Sequence, residues 1–474
     1  MVQDQNDNNN NGEKAVDDVV TFIPKTKSQF TSVLKIRNFM LFSLSQAISL
    51  FGDKLDYMAL LAMIAYFADK LGWQSARAIS YLSVIITLPT IIFGPLAGIL
   101  VDRWNRLKVL IVCDSCRTVL VALIPLIIIA TQSLYLVYII TFTVFLFGLF
   151  FNTARLSIIP NLVAKRRLLA ANSFMNFIGR IATFLGMFFG GLIVDWQIWQ
   201  KIGIKYSWSA GFYIDSLTYL CSVLGLVIIA TKTNVFRTNS ATTPESSIPK
   251  PRTTVISEAQ AQEKKIFTEL KFAFQYIWKN PPVLFVFSSI LLMVIVGASA
   301  FVLLVPLIQT PTAKMGFGVG TKGVGFVAAI GAVGLVLSSM GYGIIGHRIN
   351  KQYTILTCFI ILGAVSILIP LFNSFIALIP LAFIAGLFLS PIFIVQDTIL
   401  HETIDESIRG RIFSSREWLL HLSFAVSCLA VGELTNFASK QTLLYIAGVL
   451  VIVISGLLIY FIKTKKINLT VKKA

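Results

Sequence analysis

Apolar runs of twenty or more residues, separated by short polar punctuation, recur along the whole chain. They predict membrane spans near 38–67, 77–101, 107–130, 133–160, 168–194 and 208–231. A second set follows near 283–308, 322–346, 353–372, 374–400, 411–434 and 441–462. Each run is long enough for a helix to cross ~30 Å of hydrocarbon. The ~10-residue alternating segments of an outer-membrane barrel are absent. The pattern therefore predicts an all-α polytopic membrane protein, with twelve transmembrane helices in two six-helix halves at 38–231 and 282–462. Between them, 232–281 is polar ("TNSATTPESSIPKPRTT") and reads as a flexible cytoplasmic linker. The end of that linker, "EKKIFTELKFAFQYIWKNPP", has helical apolar spacing suited to the membrane surface. Residues 1–37 are rich in Asn and Asp and read as a disordered cytoplasmic tail, and 463–474 as a basic cytoplasmic tail.

Composition agrees with this outline. Of 474 residues, 56% are hydrophobic and 13% charged, too few polar groups to cover a soluble domain. The net charge of +18 could suggest nucleic acid, but 29 of the 40 Lys and Arg fall on one side of the predicted spans. That asymmetry is the positive-inside signature, so both termini are expected in the cytoplasm of a multi-pass plasma-membrane protein, the inner membrane of a bacterium. The basic residues occupy short loops rather than one folded face, which argues against nucleic acid. The N-terminal stretch has no apolar core or cleavage site of a signal peptide. Cys113 and Cys116 form a C-x-x-C spacing inside a span with no second pair, so neither a metal site nor a redox role is expected.

The halves resemble each other. A shift of 245 positions superposes Gly98 on Gly343, Arg103 on Arg348, Asn105 on Asn350 and Arg106 on Lys351. Asp102 meets His347, so the second copy lacks the acid. Duplicated six-helix units are common in secondary transporters, with the substrate path between the halves.

At 94–106, Gly94 and Gly98 offer small-residue spacing for close helix approach, and Asp102, Arg103 and Arg106 follow in a very short loop. This resembles the G-x-x-x-D-R-x-x-R loop of the major facilitator superfamily. The resemblance implies that Asp102 latches the outward-facing state, pairing with an arginine of the fourth span and facing the start of the eleventh. Arg155, in "FFNTARLSIIP", is the partner it implies. Such a pair would be a bistable element, although interfacial snorkelling and topology alone could also account for these charges. "DRWNRLKVLIVCDSCR", "GFYIDSLTYLCS" and "IRGRIFSSREW" resemble the drug:proton antiporter branch that includes macrolide-efflux and enterobactin-export carriers, over about 38–435. Lysophospholipid flippases lie in the same neighbourhood.

Charges within the spans are the remaining candidates. Asp53, Lys54 and Asp56 lie near the middle of the first span, where each costs ~2.5–3.5 kcal/mol on insertion scales and should face a cavity or a partner. Asp53 and Asp56 share a helical face, with Lys54 about 100° away. A carboxylate in a partly dry cavity suits reversible protonation, making Asp53 or Asp56 the expected proton-coupling site; an internal Asp–Lys pair that only aids packing is the alternative. Asp114 and Arg117, three apart in the third span, could pair with each other or join the Asp102 network. Arg180 lacks a sequence-local acid, so Asp53, Asp56 or an anionic substrate could partner it. Asp215 in the sixth span reads as a packing or capping group. Asp397 precedes His401 and Glu402, a pair that could shuttle protons but more simply forms a loop edge, while Arg409, Arg411, Arg416 and Glu417 flank the eleventh span.

There is no G-x-x-x-x-G-K-[ST] phosphate loop and no H-E-x-x-H zinc motif, so an ATP-driven pump and an intramembrane metalloenzyme are not indicated. No cofactor is expected. The expectation is a monomeric secondary exporter in the lipid bilayer, moving a small amphipathic solute such as a drug, macrolide or siderophore against protons. A lipid flippase of the same fold is the alternative. A non-transporting receptor would not need buried acids in the first span.

Overall fold

The computed structural model describes residues 33–164, 167–232, 274–311, 316–346, 349–372 and 374–464. The N-terminal tail, the C-terminal tail and most of the central linker lie outside them. So does most of the amphipathic segment, of which 274–279 is helical.

Among the described residues, twelve long helices form two sets of six. The first set is α1 (Arg37–Lys70), α2 (Ser75–Arg103), α3 (Arg106–Thr131), α4 (Leu134–Leu162), α5 (Leu168–Val194) and α6 (Ser207–Lys232). The second is α7 (Pro281–Gln309), α8 (Thr321–Ile345), α9 (Lys351–Leu368), α10 (Phe375–Thr403), α11 (Glu406–Leu434) and α12 (Lys440–Lys463). Eleven of them are apolar enough to cross a membrane by composition alone; α1 falls short because Asp53, Lys54 and Asp56 interrupt it. The protein is thus a multi-pass membrane protein. Helix α11 begins at Glu406, a full turn before its apolar run, because its first turns are charged and project beyond the hydrocarbon.

Local chemistry sets the helix ends. The Asn105 side chain caps α3 by accepting from the Leu107 and Lys108 amides at 3.1 and 3.2 Å. Asn350 caps α9 in the same way, accepting from Gln352 and Tyr353. The 245-residue shift therefore superposes two asparagine caps with one physical task, satisfying the orphan amides of a helix start. In α7, Pro306 has no amide to donate to the preceding turn, and residues Ala300–Leu304 widen into a π-helical turn there.

Call the face where odd-numbered helices begin the basal face, and its opposite the far face. At the far face the halves are in contact. The Arg77 guanidinium of α2 donates to Glu433 of α11 at 2.7 Å, and the Tyr81 hydroxyl donates to the same carboxylate at 3.0 Å. Between α5 and α8, Asp195 accepts from the Lys322 amide at 2.7 Å. Gly191 and Gly325 let these two backbones touch: a Cβ on Gly191 would meet the Thr321 carbonyl at 2.8 Å, and one on Gly325 the Met187 carbonyl at 2.6 Å.

Towards the basal face the same surfaces separate. Residues 169, 173, 176, 180, 187 and 191 share one face of α5 at heptad spacing. Met187 and Gly191 pack on α8, whereas Leu169, Ser173, Asn176 and Arg180 are exposed. On α8, Met340 and Ile344 are also exposed. The halves form a V, closed at the far face and open at the basal one.

Two predictions follow from the closed contact. Leucine at Gly191 wedges α5 from α8, and overpacking of this kind costs about 1–3 kcal/mol. Spin labels on the far ends of α5 and α8 should therefore report longer separations in Gly191→Leu than in wild type. Burial in the contact pushes the Asp195 carboxyl above its ordinary range, offset in part by the Lys322 amide. The closed state then binds this proton more tightly than an open, hydrated state, so falling pH favours closure. The same labels should show closure increasing on acidification, with that component missing in Asp195→Asn.

Candidate functional site

The first half carries a buried charge cluster centred on Arg117 of α3. Its guanidinium forms ion pairs with Asp53 of α1 and, at 3.2 Å, with Asp114 one turn below on α3. It also donates to the Tyr219 hydroxyl of α6, which itself donates to Asp53. The guanidinium carbon lies 4.0 Å from the centre of the Tyr219 ring, a cation–π contact. The Arg117 side chain is 7% exposed and that of Asp114 0%.

Two further carboxylates border this cluster. Asp56 of α1 and Asp215 of α6 are 3% and 0% exposed. The Thr218 hydroxyl donates to Asp215 Oδ1 at 3.0 Å, while Asp56 Oδ1 and Asp215 Oδ2 have no hydrogen-bond partner. Glycines draw the helices together here. A side chain at Gly52 would run into Thr218 and the Asp215 carboxylate, and one at Gly211 would meet Ala59 Cβ at 2.8 Å. Helices α1 and α6 therefore touch through backbone where their acids meet.

The structure brings some of the expected residues together and leaves others apart. Asp53, Asp56, Asp114 and Arg117 converge. Lys54 does not join them: it faces α5, where a Cβ on Gly186 would meet the Lys54 Cβ at 2.8 Å. Arg180 is exposed on the open basal part of α5, away from the Arg117 cluster. Asp114 and Arg117 reach α1 rather than the Asp102 loop, because two turns of helix separate them from it. Asp215, read from sequence as a packing or capping group, belongs to the charge cluster, as does Tyr219. Their i,i+4 spacing in "GFYIDSLTYL" was the available signal, one polar face on an otherwise apolar helix.

At the basal loop, the Asp102 side chain is 68% exposed and lies 3.7 Å from Arg106. Arg106 donates to the Ser157 carbonyl of α4 at 2.8 Å, which fixes the loop against that helix. In this conformation Asp102 forms no ion pair with Arg155; Arg155 is half-buried and within electrostatic reach of Asp53. No neighbouring helix lies against Gly98, where an added Cβ would meet nothing within 4 Å, and Gly94 is nearly as open. Arg103 lies at the end of α2 beside Asp102.

In the second half, Asp397 of α10 pairs with Arg416 of α11 at 2.9 Å. Glu402 holds Lys351 of α9 in an ion pair, and His401 packs on Phe413 with ring centres 4.8 Å apart. His401 and Glu402 thus tie three helices together at the basal rim. Among the described residues, no group of His, Cys, Asp and Glu has the geometry to hold a metal ion.

A cavity of about 570 Å³ lies between α2, α4 and α11 in the far half of the bundle. Tyr81, Ile85, Leu88, Tyr138, Phe142 and Leu429 are among its walls, so it is aromatic and apolar and spans the junction of the halves.

A twelve-helix duplicated bundle with polar groups at its centre and a V-shaped opening between halves is a secondary-transporter fold. The Major Facilitator Superfamily profile matches residues 43–350 and 310–473, and the chain belongs to that family. It is a transporter and not an enzyme. It is 24% identical over 428 residues to the protein named "Putative bacilysin exporter BacE" of Bacillus subtilis, covering 89% of this chain and 92% of that one. To the multidrug efflux pump Tap of Mycolicibacterium fortuitum it is 20% identical over 408 residues, covering 84% and 90%. Its fold matches a bacterial homologue of the human lysosomal transporter Spinster, solved inward-facing and unoccupied, with a TM-score of 0.60, 13% identity, and coverage of 91% and 97%. It also matches a peptide transporter POT in complex with sulfate, with a TM-score of 0.63, 14% identity, and coverage of 89% and 94%.

Removing one partner from a buried ion pair strands the other charge and costs about 3–5 kcal/mol. Arg117→Ala should accordingly lower the thermal unfolding midpoint of the detergent-solubilised protein far more than Arg180→Ala. The ammonium of Arg117→Lys keeps the charge but lacks the planar fork that reaches several partners, and should recover only part of the loss.

Proposed function

We propose that this transporter is an exporter of amphipathic organic solutes, drug- or antibiotic-like in chemistry, driven by proton antiport through alternating access. The observation that carries the reading is the acid cluster around Arg117. Buried carboxylates in a membrane core are expensive and mark ion or proton pathways. Two of them sit on α1, at its midpoint, where rocking of the halves would change their access to water. The names of the relatives, an efflux pump and a bacilysin exporter, support export and a small organic cargo. The aromatic walls of the α2–α4–α11 cavity suit an apolar or amphipathic solute.

The proposed setting is the inner membrane of a bacterium, with the basal face cytoplasmic. In that orientation the V is the inward-facing state, and Asp102 and Arg155 are apart because their latch belongs to the other state. Asp397 and Arg416 hold α10 to α11 as that half moves.

Everted vesicles from cells overexpressing the protein, with ethidium added outside as the probe, test the reading. Dye uptake should require an imposed pH gradient, stop on addition of nigericin, and fall sharply in Asp53→Asn and Asp56→Asn. Gradient-driven flux that survives both substitutions would overturn the coupling assignment. For the loop, Asp102→Asn removes the acid of the latch and should shift accessibility labelling towards the inward-facing state. Unchanged labelling would count against the latch.

A further inference from the structure

The cluster around Arg117 contains more acid than it can balance. Four carboxylates, Asp53, Asp56, Asp114 and Asp215, face a single guanidinium in ion-pair contact, so full ionisation would leave three uncompensated charges in the membrane core. Arg155, at longer range from Asp53, would reduce that excess by only one. An uncompensated buried charge of this kind is among the costliest things a fold can hold.

The four acids are not equivalent. Asp53 accepts from both Arg117 and the Tyr219 hydroxyl, and Asp114 accepts from Arg117 at 3.2 Å. Both are held by donors that favour a carboxylate. Asp56 and Asp215 lack any such cation. Each is at least 97% buried and has a carboxyl oxygen with no hydrogen-bond partner; Asp114 shares both features at Oδ2 and differs by its ion pair with Arg117. They approach one another across the glycine contact, since the Asp215 carboxyl lies against Gly52, one helical turn before Asp56 on the same face of α1. The groups facing Asp56 are Asp53 on α1 itself, Arg117 from α3, and Asp215 and Tyr219 from α6, whereas Lys54 turns away towards α5. Two carboxylates confined to one dry site cannot both be charged at low cost, and a proton between them removes the conflict.

We propose that Asp56 and Asp215 together form the proton-binding site of this transporter, while Arg117 pairs with Asp53 and Asp114. The proton arrives from water on one face, forms an O–H bond on one of the two carboxylates, and leaves to water on the other face when that bond breaks. The inference deepens the antiport reading and rests on it only for what the proton drives. It assigns Asp215, on a helix outside the familiar signature, the same standing as Asp56, and it makes Asp53 a positioning residue.

Infrared difference spectroscopy of the full-length protein in lipid nanodiscs, titrated with acid and base in H2O and D2O, tests this without a known substrate. Wild type should show the C=O band of a protonated carboxylic acid, with the deuterium shift of an exchangeable proton. The band should change in Asp56→Asn and in Asp215→Asn, vanish in the double variant, and persist in Asp53→Asn. A band that survives the double variant, is untouched by either single substitution, vanishes in Asp53→Asn or is absent from wild type would overturn the proposal. Should an asparagine variant fail to fold, Asp56→Glu and Asp215→Glu replace it, and the band must then shift in frequency. Failure of the antiport reading is seen separately, as ethidium flux indifferent to the pH gradient while the band behaves as described.

Discussion

The guanidinium of Arg117 is the group on which the first half depends. It holds α3 to α1 through Asp53 and to α6 through Tyr219, and it keeps Asp114 from being a stranded charge in its own helix. In hydrocarbon, helices gain nothing from hiding apolar surface from one another, so association relies on close backbone contact and polar bonds. Both are present at this point. Gly52, Gly211 and Gly225 let α6 press against α1, and the charged network sits where they meet.

The second half is assembled differently. At the positions matched to Asp114 and Arg117 by the 245-residue repeat stand Phe359 and Leu362, which are 0% and 3% exposed. Its ion pairs, Asp397 to Arg416 and Glu402 to Lys351, lie towards the basal rim, and its buried polar tie is the uncharged Gln396 donating to Ser289. One half therefore carries the buried, titratable machinery, and the other supplies an apolar wall and a rim. Such a division suits alternating access: a charged cluster contained within one rigid half stays intact while the relation between the halves changes.

The halves meet along two helix pairs, α2 with α11 and α5 with α8. Glycine-to-backbone packing between α5 and α8 and the shared carboxylate of Glu433 between α2 and α11 close one face. Towards the basal face Leu169, Ser173, Asn176 and Arg180 of α5 are exposed.

Number, order and length of the helices were legible in the chain, because the bilayer imposes one rule on every span and leaves long apolar runs as its trace. The duplicated asparagine caps and the loop charges at 102–106 were equally local and equally readable. Asp53, Asp56, Asp114 and Arg117 stood out one at a time, since a charge in an apolar run is conspicuous whatever it touches. Which of them meet was decided only by tertiary structure. Helix α6 returns antiparallel along α1, and a missing side chain at Gly52 admits Asp215 to a site some 160 residues away in sequence. The same holds for Asp102 and Arg155, which the fold leaves unpaired with each other in this conformation.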